Sequence, residues 1–187
     1  NWIDSLFTMH ISDESFAHSE DIDRAGMIGN YVHGNEPSHQ IPYMYCYAGS
    51  PWKTQEKIHQ IVNSMYKNKR DGLSGNDDCG QMSAWYLFNC MGFYPVAPAE
   101  SYYVIGTPCA KQTTMRLGNG KTFTTKTENY SDENMYIQSV TLNGKKWNKT
   151  YIPYTEIENG GEIVFTLGDK PNTNWGTELD SVPPSIQ

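Results

Sequence analysis

The sequence predicts an α+β protein, with helices over residues 1–95 and a small antiparallel β-sheet or sandwich over residues 96–176. In the first half, apolar residues recur with the period of about 3.6 that is typical of amphipathic helices. After residues 94–98 (sequence YPVAP) the spacing changes to the period of two that is typical of strands. Turns rich in glycine and asparagine at 118–120 and 143–144 then separate the alternating segments, as hairpins require.

Two short helices are predicted in the first part of the chain. Residues 4–10 carry apolar side chains at helical spacing, and the aromatic segment 41–47 stops at Gly49. Ser50 and Pro51 then indicate the start of a longer helix, because serine caps helix ends and proline suits the first helical position.

This longer helix is expected to end near residues 66–68. A fourth helix is predicted from about Cys79 to Met91, and it stops at Gly92 because glycine readily takes the left-handed conformation that ends helices. The apolar stripe of the longer helix consists of Trp52, Ile58, Ile61, Val62 and Met65.

Strands in the second half follow from alternation between turns. Residues 113–117 and 122–126 are predicted to pair as a hairpin, and residues 137–142 enter a second one. Residues 162–167 form a further strand, and five to seven strands are expected in all. Residues 177–187 are expected to be a tail whose proline-containing end is frayed.

Composition excludes several classes of protein. The chain has 187 residues and a net charge of −7, so it lacks the basic face that nucleic-acid binding requires. No apolar run approaches the length of a membrane-spanning helix. Aromatic residues make up 13% of the chain, which suits sugar-stacking surfaces but also suits an aromatic core.

The four cysteines do not predict a zinc site, because none shows the Cys-x-x-Cys spacing. Cys46 and Cys90 lie in apolar helical segments and are interpreted as small core residues. Cys79 directly follows two acids, whose negative charge disfavours a reactive thiolate there.

The most informative segment is 72–80, where Asp77 and Asp78 lie between glycines directly before a predicted helix. Glycines permit backbone angles that are closed to other residues, so a ligand can approach closely. A carboxylate in such a bend can act as a general base or as a metal ligand. The structural alternative is a turn in which one of the two aspartates caps the helix.

A second polar segment, residues 33–40, contains an acid, an amide and two imidazoles before the aromatic segment. Its structural alternatives are Ser38 as a helix cap and His39 as a hydrogen-bonded core histidine. Two polar loops that each lead into an aromatic helix are harder to explain in this way, and they are expected to meet at one rim. The acid is Glu36, the amide is Asn35, and the two imidazoles are His33 and His39.

Two long segments carry a family resemblance: GNEPSHQIPYMYCYAGSPWKTQ and DGLSGNDDCGQMSAWYLFNCMGFYPVAP. Together with a terminal NTNWG, in the same order, they resemble glycoside hydrolase family 92, the calcium-dependent exo-α-mannosidases common in gut Bacteroidetes. The resemblance covers about residues 26–176. It implies a longer parent protein with an N-terminal β-sandwich, an (α/α)6 barrel and a C-terminal β region. Residues 1–95 would be the final helices of the barrel, and residues 96–176 the C-terminal antiparallel β region.

The resemblance also implies roles for residues of both loops. The family inverts configuration, which requires a carboxylate that holds a water molecule. Asp78 is favoured as this base and Asp77 as the residue that orients the water, although the two neighbours are nearly equivalent from sequence. Asn35 and Glu36 are the expected Ca²⁺ ligands, since calcium prefers carboxylate and amide oxygens. The residues expected to bind substrate are His33, Gly34, Glu36 and His39.

The general acid of the family is expected in an EGNAWQY-like segment, which these 187 residues do not contain. The chain is therefore expected to be inactive without the remainder of its parent enzyme. The expected substrates are α-mannosides such as the α-1,2-mannosyl linkages of N-glycans or mannans, and the expected location is periplasmic or secreted, in a gut Bacteroidetes-like bacterium. The alternative function is a non-catalytic carbohydrate-binding or assembly domain.

Overall fold

A computed structural model describes residues 2–9 and 25–185. Its helices agree with the periodicity of the sequence, and helix and sheet are both present, as the α+β prediction requires. The last residue of the first predicted helix, His10, lies outside the described residues. The helices are α1 (Trp2–Thr8), α2 (Met44–Tyr47), α3 (Pro51–Met65), α4 (Gln81–Met91) and α5 (Tyr154–Glu158).

The ends of α3 and α4 follow the signals in the sequence. Pro51 begins α3 directly after Ser50, although the serine side chain makes no capping hydrogen bond. Gly92 ends α4 with φ of 88°, a left-handed conformation that residues with a Cβ rarely adopt.

The second half of the chain is mainly β-structure, and the first 95 residues, predicted to be helical, also contain a short hairpin at 27–32 and a strand at 93–94. The strands are β1 (Met27–Ile28), β2 (Tyr31–Val32), β3 (Phe93–Tyr94), β4 (Tyr102–Ile105), β5 (Gln112–Arg116), β6 (Thr122–Glu128), β7 (Tyr136–Leu142), β8 (Lys145–Lys146), β9 (Tyr151–Pro153) and β10 (Gly161–Gly168). Both predicted hairpins are confirmed, since β5 pairs with β6 and β7 with β8, each pair antiparallel. At the second turn, Asn143 and Gly144 have φ of 51° and 75°, the left-handed pair that a tight hairpin requires.

The strands form a five-stranded sheet of order β5-β6-β10-β7-β8, a three-stranded sheet of order β3-β4-β9, and the β1-β2 pair. The prediction of a purely antiparallel region was wrong at one pairing, because β10 is parallel to β6. β10 returns after β7, β8, β9 and α5, and a connection of this length can bring a strand back in the parallel direction. The alternation of apolar and polar residues along a strand does not show whether that strand pairs in the parallel or the antiparallel direction.

Two apolar clusters make up the core. One lies among the helices and includes Trp85 and Tyr43, and the other lies on the five-stranded sheet and includes Phe165. Phe88 of α4 packs against both clusters. The buried Gln55 of α3 accepts a hydrogen bond from the Ile137 N–H (3.0 Å) and so connects α3 to the start of β7.

The end of the described chain differs from the prediction of a frayed tail. The carbonyl of Ser181 accepts two hydrogen bonds from Thr150, one from the N–H (2.8 Å) and one from the side-chain hydroxyl (2.9 Å). The Tyr102 hydroxyl donates to the carbonyl of Pro184 (2.8 Å). Prolines disfavour regular secondary structure, but a proline carbonyl can still accept a hydrogen bond. The carbonyls of Ser181 and Pro184 therefore attach this segment to the β region.

Candidate active site

Two polar segments meet beside the N-terminus of α4. We call residues 33–40 the glutamate loop and residues 72–80 the aspartate loop. Gly34 and Gly75 are in contact, since a Cβ on Gly75 would lie 2.9 Å from the Gly34 Cα. A Cβ on Gly34 would lie 2.6 Å from the carbonyl oxygen of Ala25 and nearer still to that of Ser74. These two glycines are therefore required for the close approach of the loops, which the sequence predicted.

His33 lies beneath this contact and is completely buried. Its Nδ1 lies 2.8 Å from the Tyr31 hydroxyl, and its Nε2 lies 2.7 Å from the Tyr66 hydroxyl. Because the Tyr66 hydroxyl donates to the Met82 carbonyl, the pattern is satisfied when His33 Nε2 donates to Tyr66 and Nδ1 accepts from Tyr31. Both ring nitrogens are thus used in holding the loop.

His39 is 1% exposed and connects the glutamate loop to α4. Its Nε2 donates to the carbonyl of His33 (3.0 Å), and its Nδ1 accepts from the Gln81 side chain (3.1 Å). The indole N–H of Trp85 donates to the carbonyl of His39 (3.2 Å). Gln81 and Trp85 are four residues apart and therefore lie on the same face of α4.

The two imidazoles stack with their centroids 4.7 Å apart. Burial and, to a smaller extent, the neighbouring His39 lower the pKa of His33 to about 3. Burial also lowers the pKa of His39, although its bond to the His33 carbonyl and the charge of Glu36 oppose this effect. Both rings are therefore neutral at physiological pH, and their described contacts are with the protein itself.

Glu36 begins a short 3₁₀ turn, Glu36–Ser38, in which Pro37 restricts the backbone. The carboxylate oxygen Oε1 of Glu36 is buried and has no hydrogen-bond partner. A buried carboxylate oxygen without a partner is unusual, because the desolvation of a charged group is costly. The exposed Asn35 precedes it and makes no side-chain capping bond. This pair presents amide and carboxylate oxygens of the kind that a hard cation prefers.

Ser38, the alternative cap suggested by the sequence, does not cap the following turn, whose N-cap residue is Gln40. Within the described ranges 2–9 and 25–185, no group of three or more histidine, cysteine, aspartate or glutamate side chains is arranged to hold a metal ion.

Asp77 is attached to the first turn of α4. Its Oδ1 accepts from the Ser83 N–H (2.9 Å) and its Oδ2 from the Ser83 hydroxyl (2.6 Å). The hydrogen bond from the Ser83 hydroxyl and, to a smaller extent, the one from the Ser83 N–H lower the pKa of the Asp77 carboxyl group. Asp77 therefore performs the capping role that was the structural alternative for this pair of acids.

Asp78 begins the tight turn Asp78–Gly80, and its side chain is exposed. Cys79 and Gly80 both have positive φ, of 52° and 82°, so the chain reverses sharply before α4. A non-glycine residue at positive φ is strained, and such strain is common at functional sites.

The described structure thus brings Gly34 into contact with the aspartate loop at Gly75, and it buries the two histidines of the glutamate loop. The substrate-binding role expected for His33 and His39 stays a prediction. Sequence reasoning missed Tyr66, Gln81 and Trp85, which connect the loops to α3 and α4. Gln81 and Trp85 had a weak signal, because a polar residue and an aromatic residue four positions apart follow the aspartate loop directly.

Comparison with known proteins identifies the family of the chain. A sequence model described as the glycosyl hydrolase family 92 catalytic domain matches residues 1–169. The chain belongs to glycoside hydrolase family 92.

Solved family 92 enzymes have the same fold over nearly the whole chain. An α-mannosidase from Bacteroides thetaiotaomicron, in complex with mannoimidazole, is 46% identical with a TM-score of 0.92, and the match covers 98% of this chain and 24% of that one. An inverting mannosidase from Bacteroides thetaiotaomicron is 32% identical with a TM-score of 0.82, covering 98% of this chain and 26% of that one.

A curated relative from Arthroderma benhamiae, named an uncharacterized secreted glycosidase, is 36% identical over 156 residues. That match covers 82% of this chain and 20% of the relative. The family 92 chain described here thus spans about a fifth to a quarter of the length of its relatives. None of its described helices is long and apolar enough to cross a membrane.

Proposed function

We propose that this family 92 chain supplies the base side of the active site of an inverting, calcium-dependent exo-α-mannosidase. The observation that carries the proposal is the contact between Gly34 and Gly75, which lie, respectively, two residues from Glu36 and three residues from Asp78 along the chain. Family membership supports the mannoside substrate, and one matched relative is named an inverting mannosidase. Within this class we propose α-1,2-mannosyl linkages of N-glycans or mannans as substrates.

In this proposal Asp78 is the general base. An inverting glycosidase needs a carboxylate that takes a proton from water as the water attacks the anomeric carbon. Both acids are exposed, and support comes from the hydrogen bonds that distinguish them, because both oxygens of Asp77 accept from Ser83. Asp77 holds the N-terminus of α4 and so fixes the position of Asp78, and it also contributes negative charge near the water.

Asn35 and Glu36 are proposed to contribute ligands to the calcium ion. The buried, unpartnered Oε1 of Glu36 supports this assignment, since a cation would compensate its desolvation. Calcium, when bound, would hold mannose hydroxyls and favour distortion of the sugar ring. Gly34 keeps the glutamate loop close to the aspartate loop, and His33 and His39 hold that loop through their hydrogen bonds. His33 and Gly34 are proposed to line the leaving-group side.

The remaining assignments concern the parent protein. We propose that α1 to α4 are the last helices of an (α/α)6 barrel, and that the general acid comes from the rest of that barrel. We also propose a periplasmic or secreted location, and the name of the Arthroderma benhamiae relative supports secretion.

The test is a comparison of Asp78→Asn with Asp77→Asn in the full-length protein that contains this chain. Asp78→Asn should lower kcat on an aryl α-mannoside by about 10²–10⁴-fold with little change in KM, because a base acts in the transition state. Asp77→Asn should cost less in kcat and more in thermal stability, because it weakens the cap.

A second arm uses Asp78→Ala with added azide. Azide attacks without a base, so it should restore turnover and give the β-mannosyl azide, the inverted product. A greater loss of kcat in Asp77→Asn than in Asp78→Asn would show that Asp77 is the base. Rescue by azide in an Asp77→Ala variant but not in Asp78→Ala would lead to the same conclusion. Binding of mannosides with no turnover in the full-length protein would favour the alternative of a carbohydrate-binding domain.

A further inference from the structure

Cys90 and Cys109 form a pair of thiols outside both loops. Cys90 lies in the last turn of α4, and Cys109 lies between β4 and β5, 19 positions later. The Cys109 thiol donates a hydrogen bond to the Cys90 sulfur, and the two Sγ atoms are 3.6 Å apart. The apolar segment around Cys90 predicts a small core residue, but its side chain is only partly buried and lies beside another thiol.

The backbones that carry these thiols are tied together. The Cys109 N–H donates to the carbonyl of Asn89, the residue before Cys90 (3.2 Å). The Tyr130 hydroxyl donates to the carbonyl of Cys109 (3.0 Å), so Cys109 is held on both sides. A second backbone bond, from the Gly106 N–H to the Gly92 carbonyl (2.9 Å), joins the same two segments. The two sulfurs therefore stay adjacent without any rearrangement of the chain.

We propose that Cys90 and Cys109 are a site of disulfide formation that covalently joins the end of α4 to the β region. A disulfide needs a sulfur–sulfur distance of about 2.0 Å and adjacent backbones. The present separation of 3.6 Å exceeds this by an amount that side-chain rotation can close. Neither Cys46 nor Cys79 offers such a pairing, because Cys46 is bonded to Thr54 in the core and Cys79 is exposed on the aspartate loop.

The oxidant in this reaction is a small disulfide such as oxidised glutathione. The Cys90 thiolate attacks one glutathione sulfur, which releases one glutathione thiolate and leaves a mixed disulfide on Cys90. Cys109 then loses its proton and attacks the Cys90 sulfur, which releases the second glutathione. The two protein thiols are oxidised and the glutathione disulfide is reduced, so two electrons pass between them.

Cys90 is the attacking thiol in this order. The hydrogen bond from Cys109 lowers the pKa of Cys90, and the Tyr86 hydroxyl adds to this effect. The same hydrogen bond and burial raise the pKa of Cys109. A thiol with a lower pKa is present as thiolate in a larger fraction, so it reacts first.

The test is oxidation of the full-length protein with oxidised glutathione, followed by mass spectrometry of peptides under non-reducing conditions. The peptides that carry Cys90 and Cys109 should appear as one linked species, and two free thiols should be lost. The oxidised protein should unfold at a temperature several degrees higher than the reduced protein, because the crosslink restricts the unfolded chain.

Single variants separate the steps. Cys109→Ser should accumulate glutathione on Cys90, because the resolving thiol is absent, whereas Cys90→Ser should leave Cys109 unmodified. Cys46→Ser is the matched control and should still give the linked peptide. Wild-type protein that carries glutathione on Cys90 without the crosslink, or a link from Cys90 to Cys46 or Cys79, would overturn the proposal. Peptide mapping of the wild type decides the question even if a variant fails to fold.

Discussion

At the scale of single residues, Glu36 has the most unusual environment, because one oxygen of an acidic side chain is buried without a partner. If Glu36 contributes to a calcium site, Glu36→Gln in the full-length protein should raise the calcium concentration needed for half-maximal activity by about tenfold or more, since affinity follows ligand charge. Excess calcium should restore part of the lost rate.

The measurement is activity on an aryl α-mannoside against free calcium. Glu100→Gln changes an exposed glutamate outside both loops and should leave the titration unchanged. A Glu36→Gln variant that is slow at every calcium concentration, with the same midpoint, would remove Glu36 from the metal site.

The buried imidazole of His33 predicts a dependence of stability on pH. Its pKa of about 3 lies below the ordinary value of 6.5, so the unfolded chain binds more protons between these values. Stability contributed by the neutral ring is fully present above about pH 6.5 and is lost as the pH falls from there toward 3. As the pH falls, protonation of this imidazole in the unfolded chain should lower the free energy of unfolding by about 1.4 kcal/mol for each pH unit.

Denaturant unfolding of the protein between about pH 5 and 7 would measure this slope, above the range in which most carboxylates titrate. His33→Gln should be less stable at pH 7 but should show a shallower slope, because glutamine does not titrate. Tyr31→Phe is the control: it removes a hydrogen bond to the ring but keeps the ring, so it should retain the slope. An equal slope in His33→Gln would contradict the assignment.

At the scale of elements, the two loops depend on Gly34 for their contact. Gly34 does not have positive φ, so alanine is excluded there by the neighbouring backbone and not by its own conformation. Gly34→Ala should destabilise the protein by about 1–3 kcal/mol, as overpacking does. It should also lower kcat by about 10²-fold, because small displacements of catalytic groups are costly.

Gly118→Ala is the matched control, since Gly118 also lacks positive φ and a Cβ there would meet nothing within 4 Å. Thermal unfolding and steady-state kinetics of the two variants would measure both effects. If both variants are as stable and as active as the wild type, the contact between the loops does not position the site.

At the scale of the whole molecule, the chain corresponds to about 23% of the length of a family 92 α-mannosidase whose fold it shares. We therefore expect the 187-residue polypeptide, expressed alone, to hydrolyse no aryl α-mannoside at a measurable rate. Protonation of the leaving group by a residue elsewhere in the parent enzyme is worth about 10²–10⁴-fold.

The measurement is release of the aryl group with calcium present, with the full-length protein as the positive control. Strong calcium-dependent turnover by the isolated polypeptide would contradict both the expectation and the assignment of roles. Titration calorimetry of the same polypeptide with an α-mannobioside and calcium would show whether it binds sugar on its own.

The sequence by itself determined the local structure of this protein. The period of apolar residues predicted α3 and α4, and asparagine–glycine chemistry predicted the turn between β7 and β8. These features depend on side chains only a few positions apart, which periodicity and turn preferences describe directly. Long segments such as the aspartate loop and its following helix also sufficed to indicate the family.

The tertiary structure alone decided which distant residues meet and what each one does there. It made β10 parallel to β6, and it placed Cys90 beside Cys109. It also bonded both oxygens of Asp77 to Ser83, although the sequence presents Asp77 and Asp78 as near equivalents. The physical reason is that hydrogen bonds and burial depend on the packing of helices and strands around each group. Local sequence does not encode that packing.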